Sequence, residues 1–170
     1  MIFTKKTTSP IGLDISDLSI KFVQLYKHRN KIKIQSFGQI PLSEGIVVDG
    51  EIKKETEMVK AINSLLAKPV FGSGFNNDIV ASLPETKTFI KLLELDKHPN
   101  QLEDIIPSEI EKHIPYLSDK LYFDWQKIKN KKNKSFVLVG AIEKLIAEQY
   151  INIFKKTKLS ISALEIEPAA

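Results

Sequence analysis

Three short runs near the start of the chain alternate with a period of two: Ile11–Ile15, Ile20–Tyr26 and Lys31–Gln39. That period predicts strands, and their close spacing predicts an antiparallel meander. In the second run Ile20, Phe22, Gln24 and Tyr26 alternate with Lys21, Val23, Leu25 and Lys27. Apolar groups in both sets predict a strand buried on both faces. The third sets Ile32, Ile34 and Ser36 against Lys33, Gln35 and Phe37, the pattern of a partly exposed strand. Residues 1–10 read as a leader ending at Pro10, and Pro41 to Asp49 as a connection with Gly45 and Gly50 as breakers. The period then becomes helical. Thr56 to Lys68 carries Val59, Ile62, Leu65 and Leu66 on one stripe with Met58 beside it, and Pro69 stops it. A Gly/Asn-rich loop, 72–77, leads into a strand at Asp78–Leu83.

A second unit begins after Pro84-Glu85. Thr86–Leu95 reads as a strand, and Asn100 with Glu103 as the N-cap and partial capping box of a helix. That helix aligns Leu102, Ile105, Ile106, Ile110 and Ile114, while Pro107 predicts a kink or a late start. Leu121–Ile128 and Ser135–Ala141 predict a hairpin. Glu143–Thr157 predicts a helix striped by Leu145, Ile146, Tyr150, Ile153 and Phe154. Ile161–Ile166 is a last strand, stopped by Pro168. The class is mixed α/β.

Composition narrows the chemistry. The 170 residues are 42% hydrophobic and 27% charged, as in a soluble globular protein. There is no cysteine, so disulfides, thiolate catalysis and Cys-based metal sites are excluded. His28, His98 and His113 lack metal-ligand spacing. No apolar run approaches the ~18–20 residues of a membrane span, and Met1 to Lys6 lacks a signal's apolar core, so a cytoplasmic location is expected. The net charge of +4 is concentrated in Lys27–Lys33 and Lys127–Lys134, each between two strand-like runs. Such tips suit anionic partners, and equally they solvate a turn and guard a sheet edge. Neither tip carries stacking aromatics, which argues against nucleic acid.

The stretch from Gly12 to Val23 holds the candidate chemistry. Turn N–H groups and the hydroxyls of Ser16 and Ser19 can donate to a phosphate. Lys21 can neutralise its charge, and Asp14 can hold Mg²⁺ through water. A plain hairpin with a polar tip has the same pattern.

The meander with Gly12-Leu13-Asp14-Ile15 at its first turn resembles the first subdomain of the actin-like ATPase superfamily. The second unit narrows this to the PilM family of type IV pilus assembly. Glu109, Lys112, Ile114, Pro115, Tyr116 and then Asp124-Trp125 fill that family's E-x-x-K-x-I-P-[FY] and D-[YFW] elements. Leu83-Pro84, the strand Val137 to Ala141 and the stretch Leu159 to Pro168 are similar to further family segments in the same order. The resemblance implies a ribonuclease-H-like, actin-like subdomain over 11–84 with 159–170, and an inserted FtsA-type strand-helix-strand-strand subdomain over 85–158. It also implies that the family's C-terminal half is absent, making this a truncation or a natural half.

Family nucleotide positions fall on Asp14, Ser16, Ser19 and Lys21. Two residues depart: Ser16 stands where the family has Gly, and Asp17 where it has a small or hydroxyl residue. Mg-ATP is therefore expected, if at all, only in a full-length parent, and no enzymatic activity is expected of this chain. The resemblance implies an adaptor that takes the cytoplasmic tail of a PilN-like membrane protein in a cleft between the two subdomains. Ile114, Pro115, Tyr116, Tyr122 and Trp125 are the expected pocket residues, although the aromatics also suit a core. Pilus motor and platform proteins are further implied partners, and attachment to the membrane is expected only through PilN. An actin-like ATPase and an FtsA-like division protein are the alternatives.

Overall fold

In a computed structural model the meander forms, and it begins earlier than its pattern suggests. The structure describes residues 7–73, 76–96, 102–131 and 134–166. Strand β1 spans Thr7–Ile15, β2 Ser19–His28 and β3 Lys31–Pro41. Thr7 and Thr8 already pair with Lys27 and Tyr26, so residues 7–10 belong to β1 rather than to a leader. Pro10, which has no N–H for a ladder, sits in a register shift between Thr8 and Ile11.

Two short strands, β4 (Val47–Val48) and β5 (Glu51–Ile52), precede helix α1 (Glu55–Ala67), the two-residue β6 (Phe71–Gly72) and β7 (Asp78–Leu83). A single 3₁₀ turn at Glu85–Lys87 leads to β8 (Thr88–Leu95), then α2 (Leu102–Glu111), β9 (Leu121–Lys131) and β10 (Lys134–Glu143). Helix α3 (Lys144–Lys156) and β11 (Ser160–Ile166) follow. The chain divides into two compact units, Lys87–Glu148 and the remainder, so that most of α3 groups with the first unit.

The first unit holds a six-stranded sheet in the order β11-β7-β1-β2-β3-β6, with β7 parallel to both β1 and β11. Its buried face carries Ile11, Leu13, Ile15, Ile20, Phe22, Ile79, Ala81 and Leu83. Met58, Ile62 and Leu65 supply the buried stripe of α1. A Cβ on Gly38 would lie 2.7 Å from Phe22 and 3.0 Å from Leu65, so a glycine stands where helix and strand meet. Burial is one-sided: Val23 is 40% exposed, and β2 is not the doubly buried strand its alternation suggested. The next strand, β3, carries a bulge. Gln24 pairs with Ser36 and Leu25 with Ile34, leaving Gln35 over. A one-residue slip reverses the faces beyond it, so Ser36 is buried while Ile34 is half exposed.

The second unit is a three-stranded antiparallel sheet, β8-β10-β9. Leu102, Ile106 and Ile110 of α2 pack with Leu93, Leu95, Leu121, Val137 and Val139 in one apolar cluster. Helix α2 passes through Pro107, which rules out a late start there; the expected Asn100 cap lies outside the described residues. In α3 the buried positions are Ile146, Ala147, Tyr150, Ile153 and Phe154, and Leu145 is 68% exposed. A 3.6-residue period explains this, since Leu145 falls beside the stripe and Ala147 within it. Pro168 lies outside the described residues.

The β4–β5 hairpin turns through Asp49 (φ 50°) and Gly50 (φ 76°), the two positive φ values of a type I′ turn. At Gly50 a Cβ would also lie 2.5 Å from the Cβ of Pro84. Left-handed strain and this overlap act together. Gly50→Ala is expected to destabilise the chain by at least about 2 kcal/mol, read as a lowered urea midpoint with an unchanged m-value.

Candidate functional site

The β1–β2 turn is closed locally. The Ser16 N–H donates to the Ser19 carbonyl at 2.9 Å, the Ser16 hydroxyl lies 3.2 Å from the same carbonyl, and the two hydroxyls are 3.1 Å apart. Asp14 and Lys21 face each other across the ladder, and the Lys21 ammonium donates to Asp14 Oδ2 at 3.4 Å. Ser82, from the neighbouring β7, donates to Asp14 Oδ1 at 3.2 Å. The Asp14–Lys21 pair is about half exposed and contributes at most about 1 kcal/mol.

Asp17 has a different task. Its carboxylate accepts the Asp49 N–H at 2.8 Å on Oδ2 and the Gly50 N–H at 3.0 Å on Oδ1. The carbonyls of that turn are also taken: the Tyr150 hydroxyl donates to Gly50 at 2.8 Å and the Thr86 hydroxyl to Asp49 at 3.0 Å. One side chain thus ties the β1–β2 turn to the β4–β5 turn through two charge-assisted bonds. Sequence reasoning missed this, though Asp49-Gly50 between short apolar runs is a strong hairpin signal. Burial pushes the Tyr150 phenol well above its ordinary value, and the Asp17 and Asp14 carboxylates add to the shift.

All four nucleotide candidates, Asp14, Ser16, Ser19 and Lys21, are thus brought together. A phosphate arriving there would meet two carboxylates, with the one ammonium already on Asp14 and the two hydroxyls engaged with each other. Among the described residues no group of three or more His, Cys, Asp or Glu could hold a metal. The residues fit a braced hairpin better than a cradle for a triphosphate and its metal.

In the second unit, Ile114-Pro115-Tyr116 forms the turn after α2. The Ile114 N–H returns to the Ile110 carbonyl at 3.0 Å, and Glu111 accepts the Ser118 hydroxyl (2.6 Å) and N–H (2.9 Å), closing the loop. The Ser118 hydroxyl, then its N–H, hold the Glu111 carboxyl below its usual range. Lys112 bonds Glu109 at 2.6 Å, an i,i+3 pair on the exposed side of α2. Ile114 is buried in the cluster, Tyr116 and Trp125 pack partly buried against it, and Pro115 is exposed. Tyr116 meets Phe89 edge-on at 6.1 Å between centroids, and its hydrogen bond to Glu143 raises its pKa.

The pleat separates the expected pocket residues. Leu121, Phe123 and Trp125 point to the cluster, so Tyr122 points the other way and is 45% exposed. The ladder places Ile90 opposite Gly140 and Leu92 opposite Leu138 on that outward face, which the sequence reading did not single out. Both are exposed. The Lys144 ammonium lies 5.5 Å from the Tyr122 ring centroid and donates to the Asp119 carbonyl at 2.8 Å, which steadies the ring.

A family model described as type IV pilus assembly protein PilM matches residues 12–170. The chain is similar to a chain of a PilM–PilN type IV pilus biogenesis complex, with TM-score 0.81 and 17% identity, over 94% of this chain and 47% of that one. It is also similar to the cytoplasmic domain of EpsL, an inner-membrane component of the type II secretion system of Vibrio cholerae. There the TM-score is 0.61 and the identity 13%, over 94% of this chain and 57% of the other. The chain therefore spans about half the length of these relatives. At such identities the likeness shows the fold.

Because the folded pKa of Tyr150 is raised above the ordinary value of 10.0, folding favours the protonated phenol. The stability this contributes is complete below pH ~10 and declines as pH rises above it. Tyr150→Phe is expected to cost about 1 kcal/mol at neutral pH, from the lost bond to Gly50. Above pH 10 the melting temperature of the variant should fall less steeply than that of the parent chain.

Proposed function

Because the chain belongs to the family of the type IV pilus assembly protein PilM, we propose that it is a non-enzymatic adaptor that binds the cytoplasmic tail of a PilN-like membrane protein. The observation that carries this reading is the shared fold, over 94% of the chain, with a protein solved in a PilM–PilN complex. Binding such a tail would hold the chain at the inner face of the membrane and connect its partner to the pilus motor and platform. On the second unit, the outward sheet face with Tyr122, Ile90 and Leu92 presents apolar side chains to an extended peptide. Pro115 adds an exposed apolar contact on the α2 turn. Ile114, Tyr116 and Trp125 support that surface from the core side instead of lining a pocket.

The nucleotide alternative has less support. The charges around Asp14 and Asp17 oppose a triphosphate, and the hydroxyls and ammonium that would receive it are already bonded. A division-protein role gains no specific support from the geometry.

Pull-down of the chain with a synthetic peptide of the PilN-like tail is the direct test. Tyr122→Ala is expected to weaken binding about tenfold or more, as the loss of an interfacial aromatic anchor does, with no change in melting temperature. Absence of binding by the parent chain would overturn the adaptor reading. Isothermal calorimetry with Mg-ATP is expected to record no heat of binding, and a micromolar affinity would reverse the second conclusion.

A further inference from the structure

The β2–β3 hairpin runs from Ser19 to Pro41 and contains five cations and no Asp or Glu. Four of the cations, Lys27, Arg29, Lys31 and Lys33, crowd its tip, with Arg29 in the turn at φ 55°. All four are exposed, and none has an ion-pair partner among the described residues. Between them stand Ile32 and Ile34, 73% and 50% exposed. The ladder puts Ile32 opposite Lys27 and Ile34 opposite Leu25, so both isoleucines share one face with another apolar side chain. Edge β6 pairs with Ser36 and Phe37, and among the described residues no strand pairs with 31–34 on their outer side.

Guarding an open edge accounts for the lysines. It does not account for two isoleucines held in water among them. The other basic tip, at β9–β10, serves as an internal comparison. There Lys134 is bound to Glu94 and lies 3.8 Å from Asp96, and the Lys129 ammonium sits 5.1 Å from the Phe136 centroid. Its charges are partly spent inside the unit, whereas those of the β2–β3 tip are free to meet a partner.

We infer that the β2–β3 tip is a direct docking point for an anionic phospholipid surface. The four cations meet the headgroups, and Ile32 and Ile34 enter the boundary between headgroup and acyl chain. Charge complementarity and apolar insertion from one short element are the two attractions that hold interfacial proteins on bilayers. A nucleic-acid partner would call for large stacking aromatics, and residues 27–35 contain no Phe, Tyr or Trp. Contact would be weak alone and would add to tethering through a membrane-bound partner, because the two attachments act on one chain. It extends the expected indirect membrane association and does not depend on the PilN-like reading.

The test is co-sedimentation of the 170-residue chain with vesicles of phosphatidylcholine alone and with vesicles containing phosphatidylglycerol. Preferential partitioning onto the anionic vesicles by about tenfold or more is expected, weakening as salt is raised. Lys31→Glu with Lys33→Glu should lower that partitioning at least about tenfold, and Ile32→Ser severalfold. Melting curves identify any variant that has lost its fold, and Lys27→Glu with Arg29→Glu then replaces it. Equal partitioning onto both vesicle types, no partitioning, or an unaltered signal in the folded charge variants overturns the inference. So does binding confined to single-stranded DNA offered in a parallel titration.

Discussion

Two hydrogen bonds from the backbone of one turn to the carboxylate of another organise the first unit. The Asp49-Gly50 turn points its N–H groups away from its own short hairpin, and β4 and β5 contribute only two residues each to hold it. Without Asp17 those amides would have no charged acceptor beneath them, and an isolated two-stranded hairpin is marginal in water. With Asp17 in place the β1–β2 turn, Thr86 and Tyr150 converge on one short segment. Tyr150 completes the arrangement, its phenol kept protonated first by burial and then by the carboxylate that bonds the turn. Asp17 is therefore the residue that joins two turns. The same geometry sets charge and donor commitment against nucleotide binding.

A second constraint is that each sheet has one strongly buried face. Helix α1 lies against β2 and β3 of the first sheet, and α2 packs with Leu93, Val137 and Val139 of the second. What remains outside is not uniformly polar. Val23, Phe37 and Phe71 in the first unit, and Ile90, Leu92 and Tyr122 in the second, stay in partial contact with water. Contiguous exposed apolar groups are where proteins meet partners, and the family to which the chain belongs is one of assembly components.

How much of this was legible depends on the range of the interaction. Residues that act through neighbours in sequence were read well: Ile62 and Leu65 on the stripe of α1, the strand Asp78–Leu83 and the order of all the longer elements. The family motif was legible because Glu109, Lys112, Ile114 and Tyr116 lie within one helix end and its turn. Tyr122 and Trp125 fall on opposite faces for a local reason that could have been applied. An odd separation along a strand puts side chains on opposite faces.

The sequence by itself determined the periods, and with them the class, the element order and the candidates for chemistry, because alternation and turn residues act over a few positions. It also determined the family through spaced motifs. Only the tertiary structure decided which side chains of β3 are covered, since its extra residue, Gln35, reverses the faces on either side of it. Only the tertiary structure could reveal that Asp17 belongs to Asp49 and Gly50, more than thirty positions away. Such pairings are set by how the elements pack, and no local period encodes them.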